Sequence, residues 1–218
     1  MTLKYYNPPQ EPYLDIIFHD NDILVLNKQS GLLTVPGKGE HLADCLEKRA
    51  KDTFPTALTL HRLDMDTSGL IIMGLNKYSH RHLSLQFQNR NVAKEYTALV
   101  FGNMERSSGE VDLPLICDWP NRPKQKVDHA IGKPSRTKWH VIERYEDKTL
   151  LSLIPLTGRS HQLRVHMDEI GHSILGDRFY ASEKIANMSN RLCLHSTKLT
   201  IMHPVQKKMM TFKHSITF

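Results

Sequence analysis

Cysteine is scarce in this chain: Cys45, Cys117 and Cys193 lie far apart and never form a CxxC pair, which argues against a disulfide framework and a zinc ribbon. No apolar run approaches the roughly 20 residues that a membrane-spanning helix needs. The opening MTLKYYNPPQEP has neither the cationic start nor the apolar stretch of a signal peptide. A soluble, cytoplasmic protein in a reducing compartment is the reading. There is no GxxxxGK[ST] loop, and Gly37-Lys38-Gly39 lacks the third glycine of a dinucleotide fingerprint, so no nucleotide cofactor is expected. The 13 histidines invite a metal reading. However, His80 with His82 and His161 with His166 would point to different sides of a helix, so no metal is expected either. Repeats, low-complexity tracts and linker-like composition shifts are missing too, which leaves one domain over residues 1–218.

What is present is core-forming residue and positive charge. The 218 residues are 39% hydrophobic, enough for a sizeable core. The net charge of +6 is unevenly spread: Lys184 to Phe218 carries Lys184, Arg191, Lys198, Lys207, Lys208 and Lys213 with no acid at all. A second stripe holds Arg122, Lys124, Lys126, Lys133, Arg136 and Lys138 against Asp118 and Asp128. With a pI near 9.2 these stripes suit a polyanionic partner such as RNA, or else a solubilising surface.

Short apolar runs at 15–18 and 23–27 read as two strands around a polar turn. Leu42, Leu46 and Ala50 make a helical stripe over 42–52, and a second helix is predicted over 77–89. Strands are predicted near Leu58 and Leu60, and over 70–75, 95–101, 137–143 and 149–154. Residues 102–132, rich in turn formers, read as a long loop. LTGRSHQLRVHMDEIGH reads as a loop and a helix, with Ser160 as N-cap and Gly171 as stop. A short helix after Ser182 and strands at 192–195, 198–202 and 209–213 complete the chain. Strands and helices without regular alternation imply an α+β fold, a mixed, largely antiparallel sheet with helices packed on it.

The densest chemistry lies in His61-Arg62-Leu63-Asp64-Met65-Asp66-Thr67-Ser68-Gly69, between two apolar strands. Loops fixed by rigid strands commonly carry catalytic groups, although Asp, Ser and Gly also build ordinary turns. Asp64-Met65-Asp66-Thr67 has the outline of a magnesium-dependent DxDxT phosphatase nucleophile, but His61 and Arg62 interrupt the strand that should precede it. A binding-only RNA assembly factor is a further alternative.

The whole stretch resembles the HRLDxxTSG signature of the RluA family of pseudouridine synthases. Further blocks follow in that family's order: Asn27-Lys28-Gln29-Ser30-Gly31, Lys94-Glu95-Tyr96, Gly158 to His166, Leu175-Gly176-Asp177 and Leu194-His195. Gln29 stands where the family usually has proline. The resemblance implies the pseudouridine synthase catalytic fold, and an isomerase that needs neither cofactor nor metal. Asp64 would be the nucleophile, Arg164 its ion-pair partner and Tyr96 the group beside the base. It also implies substrate contacts at His61, Arg62 and Thr67, at Arg159, His161 and Gln162, and at Leu194. Its substrates would be stem-loops of 23S ribosomal RNA and of transfer RNA, with Arg122, Lys124 and Lys126 as phosphate contacts. The target nucleotide must be swung out of its stack, at a few kcal/mol, and the flat guanidinium of Arg62 could fill the vacated space. The first 14 residues leave no room for an S4-type RNA-binding module ahead of the first strand. The chain is taken as a monomer.

Overall fold

The computed structural model describes residues 5–218. The chain divides into two compact units: residues 5–94 together with Ser196–Ser215, and Glu95–His195 together with Ile216–Phe218.

In the first unit, strands β1 (Ile16–His19) and β2 (Ile23–Lys28) form an antiparallel hairpin. Asp20 turns it, because its Oδ1 accepts the Asp22 and Ile23 amides at 2.8 and 2.9 Å. Helix α1 (Leu46–Thr53) follows, then the short β3 (Leu58–Thr59), β4 (Ser68–Gly74) and helix α2 (Lys77–Gln88). Every residue of β4 is buried, as its unbroken Leu70-Ile71-Ile72-Met73 run requires. The antiparallel register of β2 on β4 sets Lys28 opposite Gly69 and Ile23 opposite Gly74. The chain leaving β2 therefore runs beside the chain entering β4. Numbered in chain order, β11 (Leu194–Met202) and β12 (Met209–Lys213) pair antiparallel and add Leu199, Ile201 and Phe212 to the core around Ile23, Val25, Leu70, Ile72 and Leu83.

The second unit contains most of β5 (Ala93–Phe101), then β6 (Ser108–Asp112), β7 (Leu115–Cys117), β8 (Gln125–Val127), β9 (Arg136–Arg144) and β10 (Lys148–Pro155). The order β5-β10-β9-β6 is antiparallel throughout, and β7 and β8 form a separate hairpin. Helices α3 (Gln162–Glu169) and α4 (Glu183–Ala186) complete it. Leu163 and Met167 of α3 join a core of Ala98, Val100, Trp139, Leu151 and Leu153. The α+β expectation holds, with antiparallel ladders dominating.

Four local expectations are corrected. Helix α1 begins at Leu46, not Leu42, because the Leu46 and Glu47 amides donate to the carbonyls of Leu33 and Thr34, and the Cys45 thiol accepts from Lys48. Those bonds satisfy the helix's open amides at that point, and Leu42 falls in a separate 3-10 turn. The stretch 102–132 is no loop: it contains β6, β7 and β8. The cap of α3 is His161, in the left-handed region at φ 54°, and not Ser160. Finally, 194–202 is one continuous strand. Among the described residues no disulfide forms, and no helix is long and apolar enough to cross a membrane.

Candidate functional site

The loop 61–69 is clasped through its backbone. Buried Lys28 directs its ammonium onto the carbonyls of Gln29, Leu32 and Met65 at 2.8, 2.6 and 2.8 Å. Ser30 Oγ donates to the Asp66 carbonyl at 2.7 Å, and the Gly31 amide donates to Met65 at 2.9 Å. Thr34 Oγ1 donates to the Leu63 carbonyl at 2.7 Å and accepts from the Leu63 amide at 3.2 Å. The β2–β4 register makes this contact possible, so the Asn27-to-Thr34 block and the HRLD block form a single local structure. A turn closes the loop where the Thr67 amide donates to the Asp64 carbonyl at 3.1 Å. Asp64 is half-buried, Arg62 is exposed and Thr67 is buried. Gly69, at φ 108°, cannot be replaced: a Cβ there would lie 2.4 Å from the Ser196 carbonyl oxygen. Gln29, in place of the family's proline, ties instead to the Glu11 carbonyl at 2.7 Å.

His61 faces inward. Its Nε2 accepts the Ile72 amide at 3.1 Å, and its ring stacks on Phe87 with centroids 4.3 Å apart. Burial, helped by the nearby Lys94 ammonium, holds its pKa down at about 3, so the ring is neutral with its proton on Nδ1. Lys94 lies over the other part of this stack, 6.0 Å from the Phe87 centroid, and burial lowers its pKa as well. His61 thus acts as an anchor for the loop's entry.

In the second unit the block 158–166 turns inward over its helical part: residues 162–166 are all buried, whereas Gly158 and Ser160 are exposed. Gln162, 3% exposed, has its whole amide engaged. Its Oε1 accepts from Thr157 Oγ1 at 2.7 Å and the Arg159 amide at 3.0 Å, while Nε2 donates to the Arg136 carbonyl at 2.9 Å and Thr137 Oγ1 at 3.0 Å. Buried His166 bridges Thr137 Oγ1 and the Leu113 carbonyl. Gln162 therefore shapes the loop from beneath; Arg159 lies half-buried above it, its Nε directed to the Pro134 carbonyl at 3.3 Å.

Arg164 is 2% exposed and is not a solvated helix charge. Its Nε and one terminal nitrogen donate to the two oxygens of Asp177 at 2.7 and 2.6 Å. The guanidinium lies 4.9 and 5.4 Å from the ring centroids of Phe179 and Tyr180. A charge this deeply buried is tolerated because a bidentate carboxylate and two ring faces compensate it. Asp177 Oδ1 also accepts the Phe179 and Tyr180 amides, so one carboxylate fixes both the guanidinium and the rings beneath it. Gly176 permits the approach: a Cβ there would meet the Arg191 carbonyl oxygen at 1.8 Å. His161 Nδ1 lies 2.6 Å from the Tyr180 hydroxyl, which also accepts the Gln125 amide at 2.8 Å. This places the β7–β8 hairpin beside the same cluster.

Tyr96 is half-buried on β5 opposite Leu153, and Leu194 is buried in the second unit's core. Arg122 and Lys126 are exposed at the hairpin and Lys124 is half-buried there. Sequence reasoning named Leu175-Gly176-Asp177 and Asn27-Lys28 only as motif blocks. It missed that Asp177 holds the Arg164 guanidinium and that Lys28 holds the loop, and the one signal available was an ionisable residue next to an apolar run. The described residues bring one set of potential metal ligands together, Asp20, Asp22 and His203. Each already takes part in hydrogen bonds of the β1–β2 turn, of Asn76 and Ser79, or of the Val205 and Gln206 amides.

Residues 22–169 match the family described as RNA pseudouridylate synthase. The chain is 52% identical over 219 aligned residues to the dual-specificity RNA pseudouridine synthase RluA of Escherichia coli (strain K12), covering 100% of both chains. To the protein of the same name in Haemophilus influenzae it is 49% identical, again over the full length of both. Among solved structures it resembles human RNA pseudouridylate synthase domain containing 1, with a TM-score of 0.80 at 28% identity, over 96% of this chain and 86% of that one.

Proposed function

The chain belongs to the RNA pseudouridylate synthase family, and from that premise we propose that Asp64 is its nucleophile and that it serves two RNA substrates, a 23S ribosomal stem-loop and a transfer RNA anticodon stem-loop. The protein is an isomerase acting on RNA. In this reaction the N1–C1′ bond of a uridine breaks, the base turns and C5 bonds to C1′. C5 loses a proton and N1 gains one, so nothing is oxidised or reduced and no energy donor is consumed. A single positioned nucleophile suffices. As part of the same proposal, the modified positions are uridine 746 of the 23S RNA and uridine 32 of transfer RNA. The work is cytoplasmic, performed by a monomer, and both units serve one catalytic domain.

The observation that supports Asp64 most is the clasp. Lys28, Ser30, Gly31 and Thr34 fix the backbone on both sides of Asp64 while its own side chain remains half-exposed. A nucleophile needs that combination of a fixed origin and an accessible tip. Arg164 is proposed to supply positive charge to the reacting carboxylate, and Tyr96 to lie against the uracil ring and relay its proton. Leu194 would pack on the base from the apolar side. Arg62, exposed at the loop's shoulder, would occupy the stacking space of the extruded nucleotide, and the basic hairpin residues Arg122, Lys124 and Lys126 would meet phosphates.

The test is tritium release from stem-loop RNA labelled at uracil C5, with EDTA present. Wild type should release tritium from both substrates, and Asp64→Asn should fall to background while still binding RNA. Release by Asp64→Asn at the wild-type rate removes Asp64 as nucleophile. Loss of wild-type release on adding EDTA would favour metal-assisted chemistry instead.

A further inference from the structure

The β7–β8 hairpin carries a feature that the chemistry at Asp64 does not use. The chain has two tryptophans, and they are placed in opposite ways. Trp139 is 6% exposed in the second unit's core, so tightly set against Gly109 that a Cβ there would lie 2.5 Å from its ring. Trp119 is 64% exposed. It sits in a 3-10 turn, Trp119–Asn121, at the hairpin's tip. Asp118 Oδ2 accepts from Asn121 Nδ2 at 2.8 Å, and backbone bonds join Asp118 to Lys124 and Lys124 to Asn121 at 2.9 and 3.1 Å. The exposed indole is thus displayed on a braced turn.

One face of the indole is covered: the Arg122 guanidinium carbon lies 4.4 Å from the ring centroid. Even so, most of the residue's surface is open to solvent. The nearby acids are occupied within the turns, with Asp128 Oδ1 accepting the Ala130 and Ile131 amides at 3.0 Å each. Exposed Arg122 and Lys126, with half-buried Lys124, outnumber Asp118 and Asp128, so the tip carries net positive charge. At its inner end the hairpin is fixed where the Gln125 amide meets Tyr180, which in turn meets His161 beside Arg164.

We infer that Trp119 is a stacking platform for an unpaired base of the RNA, with the Arg122 guanidinium behind it meeting that nucleotide's phosphate. This rests on the RNA substrate proposed above. A planar aromatic face in a cationic surround is how proteins capture single-stranded nucleotides, since every base offers a π-face and every nucleotide a phosphate. A protein partner would need far more apolar area than one ring supplies. A base still paired and stacked in a stem has no face to offer, so the platform selects for loops.

The second tryptophan makes the test direct. Indole emission of the full-length protein is titrated with a substrate stem-loop and, separately, with a fully paired RNA of equal phosphate number, while anisotropy of labelled RNA reports binding independently. Trp119→Phe protein, whose only indole is the buried Trp139, gives the background. The stem-loop should quench at least half of the Trp119 emission, and the duplex should bind with little quenching. Trp119→Ala should weaken stem-loop binding about tenfold, with Trp119→Phe recovering part of the loss, and duplex binding should be unchanged. In tritium release, Trp119→Ala should raise KM for the stem-loop more than it lowers kcat, and a loss in kcat alone would overturn the platform. Unchanged emission on stem-loop binding, equal quenching by the duplex, or wild-type affinity in Trp119→Ala overturns the platform while wild-type tritium release leaves the enzymatic reading standing. Absence of both binding and release in wild type overturns both.

Discussion

The loop at 61–69 and the block at 158–166 look alike as text, each a run of histidine, arginine and hydrogen-bonding side chains beside an apolar strand, yet they are fixed by opposite means. In the first, side chains from a neighbouring segment hold the loop's own carbonyls: Lys28 on Met65, Ser30 on Asp66, Thr34 on Leu63. The loop's backbone is used up, and Asp64 and Arg62 project from it. In the second, the block's own side chains turn inward and are consumed: Gln162 and His166 onto β9 and its surroundings, Arg164 onto Asp177. A polar motif can therefore be a display of reagents or a set of anchors. Only the direction of its hydrogen bonds tells which.

The contrast is sharpest for the two carboxylates. Asp177→Asn should cost about 3–5 kcal/mol, because it strands a buried guanidinium, whereas Asp64→Asn should change stability by less than about 0.5 kcal/mol. Urea denaturation of both variants checks this, and an equal loss in Asp64→Asn would break the distinction. Next in size, Lys28→Met should cost about 2–3 kcal/mol by leaving buried carbonyls without their charged donor. It should also lower kcat more than it raises KM, since it loosens the loop behind Asp64 without touching RNA; an effect on KM alone would show that Lys28 serves substrate binding. The last effect is confined to acid and concerns His61. Unfolded, it takes up a proton near pH 6.5, but folded only at about 3. Its contribution is thus fully present above pH 6.5 and is lost as pH falls toward 3, with a slope of up to about 1.4 kcal/mol per pH unit. His61→Gln, which keeps an acceptor for the Ile72 amide, should show a shallower acid limb in stability against pH than wild type.

Much of this was legible beforehand. Leu70 to Met73 reads as a buried strand because nothing polar interrupts it, and α2 starts at Lys77, as expected, where the Asn76 side chain caps the Ser79 amide. What escaped the one-dimensional reading depends on partners distant in the chain. The start of α1 is set by the carbonyls of Leu33 and Thr34, and the ring of the left-handed cap His161 is held by the Tyr180 hydroxyl. The hairpin inside 102–132 was hidden because Pro114, Pro120 and Pro123 made its short strands resemble a loop. At the site, the motif resemblance pointed to Asp64, Arg164 and Tyr96. It paired Arg164 with Asp64 and did not reveal that Asp177 holds the guanidinium through both its oxygens, because nothing local to Arg164 points to that carboxylate.

Gln162 shows what such inward fixing demands of a residue. Two donors and two acceptors converge on its amide, so its orientation is dictated and its identity with it. Glutamate would offer no hydrogens to Arg136 and Thr137 and would bring an unwanted charge inside; asparagine would fall short by one methylene. Anyone grafting helix α3 onto another scaffold would have to transplant Arg136, Thr137 and Thr157 along with it, for the helix and its seat are one part.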